Sequence, residues 1–195
     1  MAMTGLEKRL VNRPKKAQRN IMKISAHLEG IAMGQVKNAL EIGCGIGTVS
    51  SWLADSYDLT VIGTDFDSDQ IKVAKEMYPE HDQLRFKIED GANLSFEKEF
   101  FDLVISENVF HHISNWRAAI GEVARVLKPS GYFIWFDLVF PDWLRGFFRR
   151  FLKDYGFYTI TDIDSEFAKN GFRTLNKTRI RHGPMVHYDI MLQRE

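Results

Sequence analysis

Apolar and polar residues alternate along this chain in two different rhythms. Short apolar runs, typical of buried strands, occur at 39–42, 59–65, 84–90, 100–106 and 132–136. Between them the apolar residues are spaced three or four positions apart, as in the segment 116–127, which predicts helices. Strands that alternate with helices predict a parallel sheet with helices on both faces. Ligands of such sheets bind at the carboxyl ends of the strands.

The first residues, 1–35, are predicted to form a helical flap ahead of a main domain at 36–195. Their apolar residues can share helix faces, with an interruption at Asn12-Arg13-Pro14. The segment 8–19 carries six lysines and arginines. We interpret this basic stretch either as a flap that meets an anionic substrate or as a solvated helix face.

The last third of the chain differs in composition. Aromatic residues and arginines are dense between 140 and 158, which predicts a lid-like insertion at about 140–160. Its segment 143–158 is interpreted either as a basic amphipathic helix that contacts a membrane peripherally or as an aromatic helix packed on the domain. A short helix at 164–170 and two strands near 173–180 and 185–193 are predicted to follow.

Composition restricts the classes of function. The 195 residues include 26 basic and 26 acidic side chains, so no net charge draws the chain to nucleic acid, which is a poor substrate hypothesis. Cys44 is the sole cysteine, and no histidine spacing indicates a metal, so none is predicted. The N-terminal residues lack the apolar core of a signal peptide, and a cytoplasmic protein of one domain is expected.

Residues 38–50, N-A-L-E-I-G-C-G-I-G-T-V-S, carry the strongest local signal. An apolar strand leads into three alternate glycines and then into a helical pattern, which predicts a site for a nucleotide-like ligand. The dinucleotide fingerprint needs glycine or alanine where Thr48 stands. A Walker loop needs a lysine that this stretch lacks.

What remains is E-x-G-x-G-x-G, which resembles the first motif of the class I S-adenosylmethionine-dependent methyltransferases. The resemblance covers about 36–195 and is closest to the small-molecule branch. Further motifs that carry it are Asp65 at a strand end, D-G-A-N-L, F-D-L-V-I-S-E-N-V-F-H-H-I and V-A-R-V-L-K-P-S-G-Y-F. The family implies a single-domain, doubly wound α/β fold. Its mostly parallel, seven-stranded sheet has the order 3-2-1-4-5-7-6, with the last strand antiparallel.

The resemblance also implies roles for residues at the strand ends. Asp65 is expected to accept hydrogen bonds from both ribose hydroxyls of S-adenosyl-L-methionine, because a carboxylate offers two acceptors. Phe66 is expected to cover the adenine face. Asp90 is expected to accept from the adenine amino group, with the backbone N–H of Gly91 or Ala92 near the ring.

The methionine part of the cofactor is assigned to the glycine turn. Glu41, and the carbonyl of Ser106, are expected near its ammonium group. The turn itself, which consists of Gly43, Cys44, Gly45 and Gly47, is expected to let the backbone pass the methionine and ribose. Cys44 is interpreted as a small buried residue rather than a nucleophile.

The expected reaction is an in-line methyl transfer that leaves S-adenosyl-L-homocysteine. His111 and His112 are candidate general bases, and packing of their loop is the alternative. Neither an N-P-P-Y sequence nor a Pro-Cys pair marks a nucleic-acid enzyme. A small or lipophilic acceptor is therefore expected. A non-catalytic cofactor-binding protein and a nicotinamide-dependent oxidoreductase are the alternatives, and the acceptor and oligomeric state stay open.

Overall fold

The computed structural model describes residues 14–141, 156–182 and 185–195. These residues contain seven strands, which form one sheet. The strands are β1 Asn38–Ile42, β2 Thr60–Asp65, β3 Leu84–Ile88, β4 Phe101–Glu107, β5 Leu127–Val139, β6 Phe172–His182 and β7 Met185–Arg194. Their order across the sheet is β3-β2-β1-β4-β5-β7-β6.

The α-helices of the described residues flank this sheet. They are α1 Pro14–Leu28, α2 Thr48–Ser56, α3 Ser68–Met77, α4 Trp116–Val126 and α5 Ile160–Lys169. Two short 3₁₀ helices occur at Met33–Gln35 and Phe110–His112. The described part of α1 begins at Pro14, where the apolar pattern is interrupted, and proline suits the first turn because its missing N–H has no helical partner there.

The predicted doubly wound topology is confirmed. β3, β2, β1, β4 and β5 pair in parallel, whereas β7 is antiparallel to both β5 and β6. Two apolar clusters cover the sheet, one involving α4 and α5 and the other α1, α2 and α3. Ile24 and Leu28 bury α1 in the second cluster. The division into a flap at 1–35 and a domain at 36–195 stays a prediction.

Two predicted boundaries were wrong. α5 begins at Ile160 rather than at residue 164, because Thr159 and Asp162 form a capping box that satisfies the first helical N–H groups. β5 runs over Leu127–Val139 rather than 132–136, with an irregularity where the pairing with β4 shifts register. The proposed membrane segment 143–158 lies mostly outside the described residues, as does half of the basic stretch 8–19.

Candidate active site

The turn after β1 depends on glycines with left-handed backbone. Gly43 and Gly47 have φ angles of 76° and 83°, which residues with a Cβ rarely adopt. A Cβ at Gly43 would also lie 2.1 Å from the Val109 side chain, and one at Gly47 would lie 2.6 Å from the Phe86 ring. Packing against neighbouring elements is thus sufficient to require glycine at both positions, whatever the turn binds.

Hydrogen bonds fix this turn against the end of β2. The N–H groups of Gly43 and Cys44 both donate to the Thr64 carbonyl, at 2.7 and 2.8 Å. The Asp65 carboxylate accepts at one oxygen from the Gly45 N–H and at the other from the Asp67 N–H, each at 2.9 Å. Backbone donors therefore set the position of the Asp65 carboxylate before any ligand binds.

A cavity of about 280 Å³ opens where β1 to β4 end. The glycine turn, the end of β2, the turn after β3 and the loop after β4 form its walls. The predicted cofactor residues that line it are Gly43, Gly45, Asp65, Phe66, Asp90, Gly91 and Ala92. The tertiary fold therefore brings together residues that are up to 49 positions apart, as Gly43 and Ala92 are.

A second cavity, of about 360 Å³, adjoins the first. The two share Gly43, Gly45 and Glu107, and the second is also lined by Glu41 and Cys44. The residues that α1 contributes to it are Ala17, Gln18, Asn20 and Ile21. One continuous surface thus runs from the end of β3, past the glycine turn, to α1.

Glu41 is a buried acid within β1. Its carboxyl accepts a 2.5 Å hydrogen bond from the Ser50 hydroxyl of α2. Burial raises the pKa of Glu41 to about 7, although the Ser50 hydrogen bond lowers it; the Asp65 charge raises it further. A cation bound in the second cavity would favour the ionised form of this carboxyl.

Cys44 is buried in the turn, as expected of a small residue there. Burial raises the pKa of its thiol well above the usual value, and the charges of Glu41 and Asp65 act in the same direction. Because the thiolate is the nucleophilic form, Cys44 is unsuited to nucleophilic catalysis near neutral pH.

The turn after β3 is held by its own acid. One oxygen of Asp90 accepts from the Ala92 N–H at 2.9 Å, while the Asp90 carbonyl accepts from Asn93 at 2.8 Å.

Phe66 is 59% exposed at the cavity wall. An exposed aromatic ring beside a cavity offers a flat apolar face to a planar ligand.

His111 pairs with a buried acid that sequence reasoning missed. Its Nδ1 contacts a carboxyl oxygen of Asp137, a side chain on β5 with no exposed surface. The other oxygen accepts from the Val109 and Phe110 N–H groups, at 3.0 and 2.7 Å. The Tyr158 hydroxyl is buried nearby, and burial, followed by the Asp137 charge, raises its pKa well above the usual value. Asp137 thus sets the orientation of the His111 ring.

Three predicted residues line neither cavity. Gly47 is the N-cap residue of α2 and faces the core, and Ser106 is buried within β4, opposite Ile42. His111 stands behind His112, whose ring lies 4.0 Å away between centroids and does line the first cavity. The predicted cofactor roles of Gly47 and Ser106 stay predictions without a cavity contact to support them.

Two acids of this region were missed by sequence reasoning. Glu107 ends β4 and lines both cavities. Asp137 interrupts an apolar run, I-W-F-D-L-V-F, and a carboxylate inside a predicted buried strand was the signal that could have identified it.

Within 14–141, 156–182 and 185–195, no group of histidine, cysteine and acidic residues could hold a metal ion. Nor is any helix of those ranges long and apolar enough to cross a membrane.

A seven-stranded sheet of this order, with a glycine turn after β1 and an acid at the end of β2, defines an α/β protein of the Rossmann-like class. Residues 40–135 match the model of a family described as "Methyltransferase domain". The chain belongs to the class I S-adenosylmethionine-dependent methyltransferases.

Two relatives that are named as methyltransferases agree with this assignment. The chain is 36% identical over 104 residues to 2-methyl-6-phytyl-1,4-hydroquinone methyltransferase of Synechocystis sp., which covers 53% of this chain and 31% of that protein. It is 34% identical over 114 residues to a fatty-acid O-methyltransferase of Mycolicibacterium smegmatis, over 56% of this chain and 41% of that protein. The chain thus spans less than half the length of either relative.

A putative sarcosine dimethylglycine methyltransferase from Galdieria sulphuraria has a similar structure. The TM-score is 0.77 at 15% sequence identity, over 93% of this chain and 87% of that one. At this identity the similarity shows the shared fold alone.

Proposed function

We propose that this chain transfers a methyl group from S-adenosyl-L-methionine to a small or lipophilic acceptor. The observation that carries the proposal is the Asp65 carboxylate, held by the N–H groups of Gly45 and Asp67 at the wall of the first cavity. Two fixed carboxylate oxygens suit the two adjacent hydroxyls of a ribose, and such charge-assisted bonds are worth about 1.5–3 kcal/mol each.

The rest of the first cavity suits adenine. Phe66 presents an exposed ring, and Asp90 begins a turn whose Gly91 and Ala92 also line the wall. A Cβ at Gly91 would lie 3.1 Å from Ile113 and 3.3 Å from Ile42, so the wall is tightly packed there. A carboxylate acceptor beside a flat apolar wall matches the amino group and the face of a purine.

The second cavity suits the amino-acid part of the cofactor. Glu41 and Glu107 both line it, and Glu107 also lines the first cavity. These acids are chemically suited to an ammonium group, and a bound ammonium would lower the raised pKa of Glu41. These two carboxyl groups therefore fit S-adenosyl-L-methionine better than a dinucleotide, whose second half has no ammonium group.

α1 supports the interpretation of residues 1–35 as a flap. Ala17 and Ile21 of this helix line the second cavity, while Ile24 and Leu28 are buried in the core and anchor it. His27 Nε2 lies 2.6 Å from a carboxyl oxygen of Asp189 on β7 and adds a second attachment. A helix held at one end and lining a cavity at the other can exclude water from the reacting groups.

When bound, the cofactor supplies a methyl group already activated by its sulfonium. The residues of the chain must therefore position the acceptor in line and remove a proton where the acceptor is a hydroxyl. An ionised Asp137 can only accept hydrogen bonds, so it holds the proton on His111 Nδ1 and leaves Nε2 as the basic nitrogen. His111 lines neither cavity, but 19% of its side chain is exposed, so an acceptor bound outside the two cofactor cavities can contact it. We assign proton removal from such an acceptor to His111, with Asp137 as its positioning residue.

The class of acceptor rests on the relatives. One relative is named for a phytyl hydroquinone and another for a fatty acid, both with long hydrocarbon chains. The balanced charge of this chain fits an uncharged, lipophilic acceptor better than nucleic acid. These points support a lipophilic acceptor molecule.

Thermal unfolding with separate ligands tests the cofactor. S-Adenosylhomocysteine and S-adenosylmethionine should each raise Tm, since a ligand at about 100 times its Kd adds about 2.7 kcal/mol, whereas NAD should not. Asp65→Ala should lose the shift, and Asp69→Ala, which changes an exposed acid outside both cavities, should retain it. The proposal would be refuted if NAD alone raised Tm, or if none of the three ligands raised it.

A further inference from the structure

The loop that follows β3 is bound by two charged side chains of α4. Glu122 accepts a hydrogen bond from the Leu94 N–H at 2.8 Å, and Arg125 donates to the Leu94 carbonyl, also at 2.8 Å. Arg125 donates in addition to the Phe96 carbonyl at 2.7 Å. Both polar backbone groups of Leu94 are therefore paired with side chains of a helix that is distant in sequence.

Glu122 and Arg125 act as one unit. Two nitrogens of the Arg125 guanidinium donate to the two carboxylate oxygens of Glu122, at 2.8 and 2.7 Å, and this fork fixes the plane of the guanidinium. The Arg125 hydrogen bond holds the pKa of Glu122 below its usual value, and the same bond raises the pKa of Arg125. Both groups are therefore charged at neutral pH, which strengthens their bonds to the backbone.

This pair lies outside the proposed cofactor site but close to it along the chain. Neither of its members lines a cavity, whereas Asp90 and Ala92 line the first cavity. Leu94 follows Ala92 by two positions, and its side chain is buried in the apolar cluster beneath α4. Because each residue has only two soft dihedral angles, fixing the backbone of Leu94 restricts where the Asp90 carboxylate can lie.

The two ends of this loop are held by different elements. At its start, the Glu89 N–H donates to the Asp65 carbonyl at 3.1 Å, which attaches the loop to β2. The Glu89 carboxylate accepts from the Ser95 N–H at 3.0 Å, which closes the loop on itself. The sheet thus fixes the start of the loop, and α4 supplies the charged attachment of its end.

We propose that the Glu122–Arg125 pair is a positioning pair for adenine recognition, which holds the backbone of Leu94 so that the Asp90 carboxylate faces the amino group of the base. The inference rests on the proposed function, which assigns adenine to this wall of the first cavity. A group that orients a binding residue contributes to affinity through the geometry it imposes, without touching the ligand. Losing the pair should therefore weaken recognition of the amino group and leave the ribose acceptor Asp65 in place.

The Kd of S-adenosylhomocysteine, compared with that of S-inosylhomocysteine, tests the proposal. The second ligand carries an oxygen in place of the adenine amino group, so Asp90 would face an acceptor instead of a donor. The wild type should prefer the adenosyl ligand by about tenfold or more. Arg125→Met retains an apolar stem but removes the donors, and should reduce this preference to about threefold or less. Arg125→Lys retains the charge without the fork and should give an intermediate preference.

Arg117→Met is the matched control. Arg117 belongs to the same helix, pairs with Glu166 at 3.5 Å and lines neither cavity. This variant should retain the wild-type preference even if its unfolding midpoint falls. Amide hydrogen exchange of the ligand-free protein is the second readout. The Asn93 and Leu94 N–H groups should exchange about tenfold faster in Arg125→Met and at the wild-type rate in Arg117→Met.

The inference is overturned if Arg125→Met retains the wild-type preference, if both methionine variants lose it equally, or if exchange at Asn93 and Leu94 is unchanged. It is also overturned if the wild type binds both ligands equally, because Asp90 would then not recognise the amino group. Failure of the wild type to bind either ligand would refute the proposed function instead. The exchange rates would then decide alone whether α4 positions the loop.

Discussion

The Ser50 hydroxyl donates a 2.5 Å hydrogen bond to Glu41, and both side chains are buried beneath the glycine turn. Ser50 comes from the first turn of α2, and Glu41 from the strand that precedes the turn. The pair therefore links the two elements on either side of the proposed cofactor site. Because burial raises the pKa of Glu41 to about 7, the charge of this pair changes in the neutral range.

Glu41→Gln should make the ligand-free protein less sensitive to pH. The folded-state pKa of Glu41, about 7, lies above the 4.5 that is usual for a glutamate, so its stabilising contribution is complete below about pH 4.5. That contribution is lost as pH rises to the folded-state value, by about 3 kcal/mol in total. Denaturant unfolding between about pH 5 and 8 should show this loss in the wild type and not in Glu41→Gln.

The same residue should link cofactor affinity to pH. An ammonium near Glu41 favours the carboxylate, so binding releases a proton and S-adenosylhomocysteine affinity should rise as pH increases through about 7. Calorimetric titrations of the wild type and Glu41→Gln in parallel measure the difference. A wild-type affinity that is flat over this range would place the ammonium away from Glu41.

Asp65→Ala should weaken S-adenosylhomocysteine binding at least tenfold, which corresponds to about 1.4 kcal/mol. The change removes the proposed ribose acceptors and also the groups that hold the N–H donors of Gly45 and Asp67. Asp65→Asn retains one acceptor and should give an intermediate Kd. Asp69→Ala serves as the control in the same titration. Unchanged affinity in Asp65→Ala would mean that the ribose lies elsewhere.

Asp137→Asn should lower kcat by about a hundredfold or more if the acceptor is a hydroxyl. An amide N–H directed at His111 Nδ1 would favour the tautomer whose Nε2 carries the proton and cannot accept another. KM and the S-adenosylhomocysteine thermal shift should change little, which separates a positioning role from a loss of folding. His111→Ala should show a similar kcat. Unchanged kcat in both variants would indicate an acceptor that needs no base.

Gly63→Ala should destabilise the fold by about 1–3 kcal/mol, as overpacked core substitutions do. A Cβ at this position of β2 would lie 2.4 Å from the Ser50 hydroxyl and 2.9 Å from the Phe86 ring. It should therefore also disturb the bond from Ser50 to Glu41. Gly34→Ala is the matched control, because a Cβ there has no neighbour within 4 Å. Equal unfolding midpoints in urea would contradict this account.

Local patterns were sufficient for the architecture. The alternation of apolar runs and helical spacing predicted the strand and helix order, and the motifs predicted the strand order of the family, which the structure confirms. Errors occurred where side chains rather than hydrophobicity set a boundary. Thr159 and Asp162 start α5 through a reciprocal cap, and such a bond depends on two short side chains, not on an apolar period.

The candidate site was predictable only in part. Gly43, Asp65 and Asp90 were identified because they stand at strand ends, and parallel strands bring such ends to one edge. The pairing of His111 with Asp137 could not be identified from the sequence, since the two residues are 26 positions apart on different elements. The role of Gly63 could not be identified either, because its sequence context is an ordinary apolar strand.

The sequence by itself determined which backbone segments form strands, turns and helices, because those choices depend on residue spacing and on glycine conformations within a few positions. It also determined the family, through motifs that are each local. Only the tertiary structure decided which groups meet: that Ser50 bonds Glu41, that Asp137 orients His111, and that Arg125 bonds the backbone of Leu94. Such contacts depend on strand register and on the packing of helices across the sheet, which involve residues far apart in the chain.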